Sequence, residues 1–430
     1  MSFGFEQRTT VREEPMDKTK SYAISKQVVL EAFQKVKANQ GVAGIDAESL
    51  AAFEANLQNN LYKIWNRMSS GSYFPPAVKA VAIPKKSGGT RLLGVPTVGD
   101  RVAQMVAKIY FEPQVEPYFH HDSYGYRPGK SALDAVAVTR QRCWKYDWVL
   151  EFDIQGLFDN IDHALLMKAV RQHTHNSWVI LYIQRWLQAP FQMPDGTVKE
   201  RTKGTPQGGV ISPLLANLFL HYAFDKWMDR EHPDKPFARY ADDAVAHCKS
   251  KEDAEGLRKS LEKRLAECKL ELHPTKTRIV YCQDDQRKGN YPNNTFDFLG
   301  YTFRPRKVRS KYGRFFIGYT PSVSKQAQKA MQQAIRDWRL QLKSDQTLKD
   351  LSQRYNPIIR GWANYYGRFC KSAMYSVYRH FNQALVRWVV RKYKKLAKSK
   401  RRRNNWLGNI AKQEPKLFVH WQMGIVPGTE

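Results

Sequence analysis

Two adjacent carboxylates, Asp242 and Asp243, lie between two short apolar runs in a chain of 430 residues. The runs at 237–240 and 244–248 each have the composition of a short strand, so the carboxylates are predicted at the tip of a hairpin. Neighbouring carboxylates repel each other, and their pairing is costly unless a cation offsets the charge. Mg²⁺ is the expected cation, because it takes oxygen ligands and keeps waters or phosphates in its shell. For an isolated Asp-Asp pair, the alternative is a solvated acidic turn.

A third carboxylate, Asp153, has a similar setting 89 residues before Asp242. The apolar run at 148–154 ends at Gln155-Gly156, which predicts a strand that closes into a turn facing the hairpin. Three carboxylates can hold two Mg²⁺ ions about 4 Å apart, an arrangement that clamps both oxygens of an in-line phosphoryl displacement. The predicted metal-binding residues are Asp153, Ile154, Asp242 and Asp243.

Positive charge is concentrated towards the end of the chain. The net charge is +30 and the pI is about 9.8, which indicates a polyanionic partner. Residues 301–430 hold 29 Lys and Arg against 5 Asp and Glu, whereas the first 300 hold 41 against 35. A nearly balanced, carboxylate-bearing part therefore precedes a basic part suited to phosphates.

The cysteines and the hydropathy indicate a cytoplasmic protein without a membrane partner. The five cysteines are odd in number and lack the spacing of zinc ligands, so reduced thiols are expected. No apolar run is long enough to span a bilayer, and the first residues lack the apolar region of a signal peptide.

Two further segments carry cations beside flexible backbone. A strand at 78–84, a turn and a returning strand at 92–95 form a predicted hairpin with Lys85 and Arg91 at its tip. These two side chains could hold a triphosphate, Lys as a point charge and Arg as a fork, although any exposed hairpin may carry such cations. The loop at 124–130 is rich in glycine, cations and aromatic rings, which suits contact with a template backbone through Tyr126, Arg127 and Lys130.

Periodicity predicts several other elements. Ser25 should cap a helix with Val28, Val29, Ala32, Phe33 and Val36 on its apolar face, and Ser131 and Ser212 should cap two more. Further helices are predicted over 47–68, 100–111, 254–268, 327–342, 348–355, 358–369 and 375–398, with a strand over 269–272.

Several motifs together resemble the reverse transcriptases of bacterial group II introns. Tyr-Ala-Asp-Asp at 240–243 is similar to the palm hairpin of that family, and Pro-Gln-Gly-Gly-x-x-Ser-Pro-x-Leu-x-Asn at 206–217 to its nucleotide-binding segment. Ile-Pro-Lys at 83–85, with Thr-Arg-x-Leu-Gly-Val-Pro at 90–96, looks like its fingers motif. Phe-Asp-Phe-Leu-Gly-Tyr at 296–301 looks like its primer-grip strand. The resemblance covers about residues 24–400.

The resemblance implies an α+β fold, a right-hand polymerase with fingers and palm, in which helices pack on an antiparallel sheet, followed by an all-helical thumb or maturase domain. It implies an RNA-directed DNA polymerase, a nucleotidyltransferase. Phe158 would lie under the sugar of the incoming nucleotide and exclude ribonucleotides, although a core phenylalanine is the reading from spacing alone. Gln207 would orient the nucleotide, and Lys276 would approach the leaving pyrophosphate.

The expected domains are a mobile arm and N-terminal extension at 1–50, fingers and palm at 51–305, a helical thumb at 306–398 and a basic tail at 399–430. The tail could bind DNA, and its aromatic residues suggest that it folds back or meets a partner. The run at 391–403 has nine cations in thirteen residues. The predicted nucleic-acid contacts in this part are Arg360, Lys398, Lys400, Arg401, Arg402 and Arg403. The His-Asn-His endonuclease that often ends such proteins is not expected.

The partners implied are a group II intron RNA, an RNA template with a DNA primer, target DNA and deoxynucleoside triphosphates. The protein would assist splicing and support mobility by target-primed reverse transcription, in a bacterial cytoplasm and at the nucleoid. Two alternatives remain: a splicing-only maturase with an inactive polymerase site, and a domesticated reverse transcriptase in DNA repair or phage defence.

Overall fold

The computed structural model describes residues 20–84, 88–310 and 312–428. The predicted mobile arm and Lys85 therefore lie outside the described residues, apart from Lys20. In the described part no helix is both long enough and apolar enough to cross a membrane. All five cysteines are free thiols, as expected.

The strands are β1 Val78–Pro84, β2 Thr90–Val95, β3 Trp148–Asp153, β4 Phe191–Gln192, β5 Val198–Lys199, β6 Phe237–Tyr240, β7 Asp243–Cys248, β8 Arg278–Tyr281, β9 Phe296–Phe298, β10 Tyr301–Arg309 and β11 Phe315–Val323. The helices are α1 Lys26–Ala38, α2 Leu50–Ala55, α3 Leu57–Ser69, α4 Val98–Val115, α5 Ala132–Cys143, α6 Leu157–Asn160, α7 His163–His173, α8 Ser177–Gln188, α9 Ser212–Leu220, α10 Lys226–Glu231, α11 Lys251–Glu267, α12 Lys325–Asp337, α13 Leu348–Tyr366, α14 Tyr375–Lys392, α15 Lys394–Ala397, α16 Lys400–Gln413 and α17 Val419–Gln422.

The chain divides into two compact units. The first unit comprises residues 1–120, 155–227 and 264–271, and the second comprises 121–154, 228–263 and 272–430. The first unit contains the sheet β2-β1-β4-β5 and most of the helices before α10. The second contains the sheets β6-β7-β3-β8 and β11-β10-β9, followed by the helices from α12 onwards.

Helix α4 forms the centre of the first unit. Thr97 caps it by accepting a hydrogen bond from the Asp100 N–H, and most of its residues up to Ala107 are buried. Helix α1 packs against α4, and its cap at Ser25 and buried face are confirmed. The predicted β1–β2 hairpin is also confirmed, with six antiparallel pairs from Lys79–Val95 to Pro84–Thr90.

Two helix predictions in this unit are wrong. The helix expected over 47–68 is two helices, α2 and α3, separated at Asn56, whose backbone leaves the helical region at φ −121° and ψ 40°. Ser212 does not cap α9 but lies inside it, because its hydroxyl pairs with the Thr205 hydroxyl at 2.8 Å. Ser131, by contrast, caps α5 in the second unit with a full capping box.

The main sheet of the second unit is antiparallel with β3 at its centre. Both predicted strands around the Asp-Asp pair are present, and β7 begins at Asp243 itself. The strand expected over 269–272 is absent as a strand: Leu272 makes only an isolated bridge to Ile154. The second neighbour of β3 is β8 instead, which periodicity did not predict.

The predicted primer-grip strand is interrupted by a turn. β9 ends at Phe298 and β10 begins at Tyr301, while Leu299 and Gly300 have positive φ of 52° and 79°. Two consecutive left-handed residues reverse the chain, so β9 and β10 pair antiparallel. β10 then continues into a long hairpin with β11 that has nine residue pairs.

The C-terminal helices form one core. The two helices expected over 348–369 are one, α13, with Pro357 inside it. The helix expected over 375–398 ends earlier, and α14, α15 and α16 replace it. Phe418 and Trp421 are buried in the same core as Phe381 of α14, so the last residues fold back onto the helices.

Candidate active site

Strand pairing places the carboxylates together. β3 and β7 are antiparallel, and Asp153 lies directly opposite Asp243. Directly opposite residues share one face of a sheet, with Cβ atoms about 4.5–5.5 Å apart. Asp242 occupies the two-residue turn that joins β6 to β7, so all three carboxylates lie at the same end of the sheet.

The turn is supported from below by a buried arginine. Ala241 has a left-handed φ of 57°, and its carbonyl accepts a hydrogen bond of 3.1 Å from Arg239 Nη1. Arg239 is 1% exposed and also donates to the Ser123 hydroxyl at 2.9 Å. A Cβ on Gly125 would lie 2.5 Å from the Ala241 nitrogen, so glycine is required where this loop meets the turn.

Glu151 is a fourth carboxylate near the site, and sequence reasoning missed it. It lies two residues before Asp153 on the same face of β3, and Arg278 of β8 lies opposite it. Arg278 donates to one Glu151 oxygen from Nη2 at 2.7 Å and from Nε at 3.1 Å. The signal that could have revealed it is a second charged residue, besides Asp153, within the apolar run 148–154.

Lys276 lies beside the triad. Its Nζ is 2.6 Å from Asp153 Oδ2, and more than half of the lysine side chain is exposed. The prediction placed Lys276 near a leaving pyrophosphate, and the structure places its ammonium group on a carboxylate of the same site. The lysine therefore supplies a positive charge next to Asp153.

The turn between β9 and β10 contacts Asp243. Burial, together with the charges of Asp242, Asp153 and Glu151, raises the pKa of Asp243 to about 8, and a hydrogen bond from the Leu299 backbone opposes the rise. The Leu299 carbonyl in turn accepts a hydrogen bond of 2.9 Å from the Tyr365 hydroxyl of α13. A helix of the C-terminal part therefore holds the turn that touches Asp243.

Burial and the Asp153 charge also raise the pKa of Asp242, whereas Lys276 and Arg239 lower it. Glu151 has a pKa raised to about 7, chiefly by burial and against the effect of Arg278. The group of carboxylates is thus crowded and only partly compensated by cations of the chain. Such a group favours added positive charge.

An open cleft of about 400 Å³ leads to these residues. Its lining combines Asp153, Asp243 and Lys276 with Leu299 and Gly300 of the turn. Both strand ends and the turn therefore face one solvent-accessible space.

Three predicted nucleotide-binding residues, Arg91, Phe158 and Gln207, belong to the first unit, where backbone contacts connect the elements that carry them. The Gly94 N–H of β2 donates to the Gln207 carbonyl at 2.7 Å, and the Thr205 N–H donates to the Phe158 carbonyl at 2.7 Å. The loop at 203–209 thus joins the strand of Arg91 to the helix of Phe158. Arg91 is exposed, and the other two side chains are partly buried.

Glycines in this loop permit the close approach. A Cβ on Gly208 would lie 2.4 Å from the Gly94 carbonyl oxygen, and one on Gly204 2.7 Å from the Phe158 carbonyl oxygen. Both glycines also have positive φ, at 113° and 78°. Any side chain at either position would separate the loop from β2 or α6.

The predicted template-contact residues form part of the loop packed against the carboxylate turn. Arg127 Nη1 donates to the Ser123 carbonyl at 2.8 Å, and Lys130 Nζ to the His121 carbonyl at 2.9 Å. The Tyr126 side chain is 54% exposed, with its ring 6.1 Å from that of Tyr240. Tyr126 is therefore the most open of the three to a ligand.

The predicted contacts in the basic part are mostly at the surface. Arg360, Lys398, Arg401 and Arg402 are exposed, and Arg403 is partly buried. The side chain of Lys400 lies outside the described part. Ser399 caps α16, so three arginines fall in its first turn, where the helix dipole disfavours cations.

The sequence matches two family models. Residues 83–303, more than half of the chain, match "Reverse transcriptase (RNA-dependent DNA polymerase)". Residues 328–406 match "Group II intron, maturase-specific domain". The first match contains all three carboxylates, and the second contains α13 and α14.

Curated relatives agree with these matches. Protein YkfC of Escherichia coli is 30% identical over 312 residues, covering 64% of this chain and 78% of that protein. Group II intron-encoded protein LtrA of Lactococcus lactis subsp. cremoris is 31% identical over 229 residues, 51% of this chain and 37% of LtrA. This chain thus spans little more than a third of LtrA.

The fold, the carboxylate site and these matches define a polymerase of the palm type. The chain belongs to the reverse transcriptases, the RNA-directed DNA polymerases, and carries the maturase-specific domain of group II intron proteins. Polymerases of this family use divalent metal ions and act on nucleic acids.

Proposed function

We propose that this reverse transcriptase uses two Mg²⁺ ions held by Asp153, Asp242 and Asp243, and that it binds a group II intron RNA to assist splicing and mobility. The observation that carries the proposal is the register of Asp153 opposite Asp243, with Asp242 in the adjoining turn. The substrates are an RNA template, a DNA primer and deoxynucleoside triphosphates, and mobility adds a target DNA.

The donor set fits Mg²⁺. Three carboxylates from two strand ends and a turn supply oxygen ligands only, and crowding favours added positive charge. Bound ions would lower the pKa of the primer hydroxyl and stabilise charge on the leaving pyrophosphate. Ile154 has an apolar, buried side chain, so only its backbone carbonyl can contribute. Lys276 and Arg239 lower the pKa of Asp242, which favours its ionised form.

The residues of the first unit hold the nucleotide. Lys85 and Arg91 at the β1–β2 hairpin grip the triphosphate, and Gln207 orients the nucleotide. Phe158 fills the space that a ribose 2′-hydroxyl would need. This proposal is supported by the backbone contacts that join β2, α6 and the 203–209 loop. These contacts fix the three elements that contain Arg91, Phe158 and Gln207 relative to one another.

Intron binding is supported by the maturase-specific match at 328–406 and by the similarity to LtrA, a group II intron-encoded protein. Splicing by such an intron is RNA catalysis, and the protein's part is to hold the RNA in its active shape. Exposed cations such as Arg360, Lys398, Arg401 and Arg402 supply phosphate contacts. Tyr126, Arg127 and Lys130 are the corresponding template contacts.

The test is one substitution in two assays. Asp243→Ala removes a carboxylate from the polymerase site, and losing such electrostatic stabilisation typically costs roughly 10²-fold or more in rate. We expect primer extension to be abolished while splicing of the cognate intron at low Mg²⁺ stays near wild type. The matched control is Asp234→Ala, a mostly exposed carboxylate just before β6, which should leave both activities unchanged.

Three outcomes would contradict the proposal. Primer extension that survives Asp243→Ala in a folded protein would remove the carboxylates from the reaction. If splicing assistance fell with polymerisation while RNA affinity held, the palm would be part of the splicing mechanism. A wild-type protein that assists splicing without extending any primer would instead be the splicing-only maturase.

A further inference from the structure

The hairpin of β10 and β11 carries a basic segment that the polymerase site does not use. Residues 301–324 contain six cations and neither Asp nor Glu. The cations are Arg304, Arg306, Lys307, Arg309, Lys311 and Arg314. We call residues 304–309 and 312–317 the distal ribbon.

One face of the hairpin changes from buried and aromatic to exposed and cationic along its length. Alternate residues of β10 share a face, so Tyr301, Phe303, Lys307 and Arg309 point to the same side. Tyr301 and Phe303 are buried with Tyr319 in the core of the unit. Further along the same face Pro305 is partly buried, whereas Lys307 and Arg309 are exposed, so the core ends and the ribbon continues beyond it.

Aromatic rings are exposed in this ribbon. The exposed fractions are 64% for Phe315, 44% for Phe316 and 79% for Tyr312. Phe315 lies opposite Arg309 and Phe316 opposite Val308, so their rings lie on opposite faces of the ribbon. Exposed apolar surface rimmed by polar residues marks an interaction site, because leaving it in water gains no burial energy.

Two of the described cations lie beside the Phe315 ring. Lys307 Nζ is 4.8 Å from the centre of the Phe315 ring, and the Arg309 guanidinium is 6.0 Å from it. Among the described residues, none of the four cations Arg304, Lys307, Arg309 and Arg314 forms a salt bridge. Asp285 accepts a hydrogen bond of 2.8 Å from the Ile317 N–H of β11.

We propose that the distal ribbon binds an unpaired RNA strand, through phosphate contacts of its cations and a base stacked on Phe315. Cations beside an accessible ring are the chemistry that holds single-stranded nucleic acid. A ring can stack on a base only where the base is not already stacked in a duplex, which favours an unpaired strand.

This site is separate from the polymerase reaction. Arg309 lies ten residues beyond Leu299, the residue that contacts Asp243, and nine of those residues form an extended strand. At about 3.3 Å per residue, the ribbon tip lies roughly 30 Å from the turn. The strand that the ribbon tip binds therefore lies well away from the carboxylates.

The experiment measures binding of the full chain to an unstructured RNA of about 16 nucleotides and to a duplex of the same sequence, at several salt concentrations. The first variant is the triple substitution Lys307→Gln/Arg309→Gln/Arg314→Gln, which should weaken binding to the single strand. It should also lower the slope of log K against log[salt] by about 2, because each of three lost phosphate contacts contributes roughly 0.7. Phe315→Leu should weaken it roughly fivefold or more at an unchanged slope, because it removes a ring but no charge.

The control is Lys251→Gln/Lys259→Gln/Lys263→Gln, which removes three exposed cations from α11, a helix rich in Glu, and should change neither quantity. Unchanged single-strand binding in the folded ribbon variants would overturn the proposal. An equal loss on the duplex would also overturn it, because stacking on Phe315 would then not be the basis. The readout is binding alone, so the result stands or falls independently of polymerase activity.

Discussion

The two adjacent carboxylates occupy different environments. Asp242 is in the turn, where its neighbours include Arg239 and Lys276, whereas Asp243 begins a strand and faces Asp153 across the sheet. Neighbours in sequence thus share a site but not the same surroundings. Substitution of Asp243 is the more informative test, because Asp243 lies directly opposite Asp153 in the sheet.

Phe158 provides a test of sugar selection. If its ring fills the space of a 2′-hydroxyl, Phe158→Ala should increase ribonucleotide incorporation roughly ten- to a hundredfold relative to deoxynucleotides. Extension with deoxynucleotides should continue. The measurement is the ratio of kcat/KM for paired ribo- and deoxynucleoside triphosphates.

A control for this substitution is Phe74→Ala, which removes an exposed ring from the same unit. It should leave the discrimination unchanged. Equal discrimination in Phe158→Ala and wild type, with the fold intact, would make Phe158 a core residue only.

At the scale of elements, the turn between β9 and β10 connects the sheet to the helices. Leu299 donates to Asp243 and accepts from Tyr365, so α13 is linked to the carboxylate through one residue. Tyr301 also donates to the Tyr365 carbonyl, which attaches β10 to the same helix. The position of the turn therefore depends on a helix more than sixty residues further along the chain.

Tyr365→Phe should reveal this dependence. Loss of one hydrogen bond costs about 1 kcal/mol, and it leaves the Leu299 carbonyl free to move. We expect kcat for primer extension to fall several-fold with little change in KM for nucleotide. The control is Tyr366→Phe, a neighbouring ring against Gly300 whose hydroxyl has no hydrogen-bond partner among the described residues. Equal kcat in the two variants would show that the Tyr365 hydroxyl has no effect on catalysis and that its ring contributes packing only.

A second element-scale link runs through α4. Gln104 accepts a hydrogen bond of 2.8 Å from the Val210 N–H and donates one of 2.9 Å to buried Asp100. Asp100 also accepts hydrogen bonds from the Tyr73 hydroxyl and the Trp186 indole N–H, which fix its carboxylate. The Gln104 side chain therefore connects this fixed carboxylate to Val210, at the end of the loop that carries Gln207.

Gln104→Leu should therefore raise KM for the nucleotide more than it lowers kcat. A buried polar group left without its partner costs about 1–3 kcal/mol, so the apparent stability should fall as well. Gln114→Leu on the same helix is the control, because within the described part of the chain that amide donates only to the carbonyl of Tyr110 in its own helix. If the KM of Gln104→Leu equalled that of the control, the hydrogen bonds of Gln104 would have no role in nucleotide binding.

At the scale of the whole molecule, charge is distributed unevenly along the chain. The carboxylates lie within the first 300 residues, whereas residues 301–430 have 29 Lys and Arg against 5 Asp and Glu. The residues after 399 are not a separate appendage in the described part. Asn356 of α13 donates to the Leu417 carbonyl and accepts from the Val419 N–H, which fastens this segment to the helical core.

Neutralising Lys398, Arg401 and Arg402 should weaken RNA binding and flatten its salt dependence. Each lost phosphate contact changes the log–log slope by roughly 0.7 to 0.9, so three contacts change it by about 2 to 3. Primer extension on a pre-bound short duplex should suffer less than binding. A slope equal to that of wild type would mean that these cations are only solvated.

Much of the site could be predicted from the sequence because its signals are local. The runs around Asp153 and around Asp242-Asp243 encode strands, and the glycines at 204 and 208 mark positions of close backbone approach. The positions at which helices break were harder to predict. Asn56 interrupts a periodic run, whereas Pro357 does not end α13, because packing within the helical core outweighs the lost hydrogen bond.

The sequence by itself determined the three carboxylates, the hairpin that carries two of them and the family to which the chain belongs. Only the tertiary structure decided what surrounds them. Glu151, Leu299 and Tyr365 approach Asp243 because β3, the β9–β10 turn and α13 meet there, although they are separated by many residues in the chain. Strand register and burial are long-range properties, and periodicity records only which face of an element is apolar, not which partner covers it.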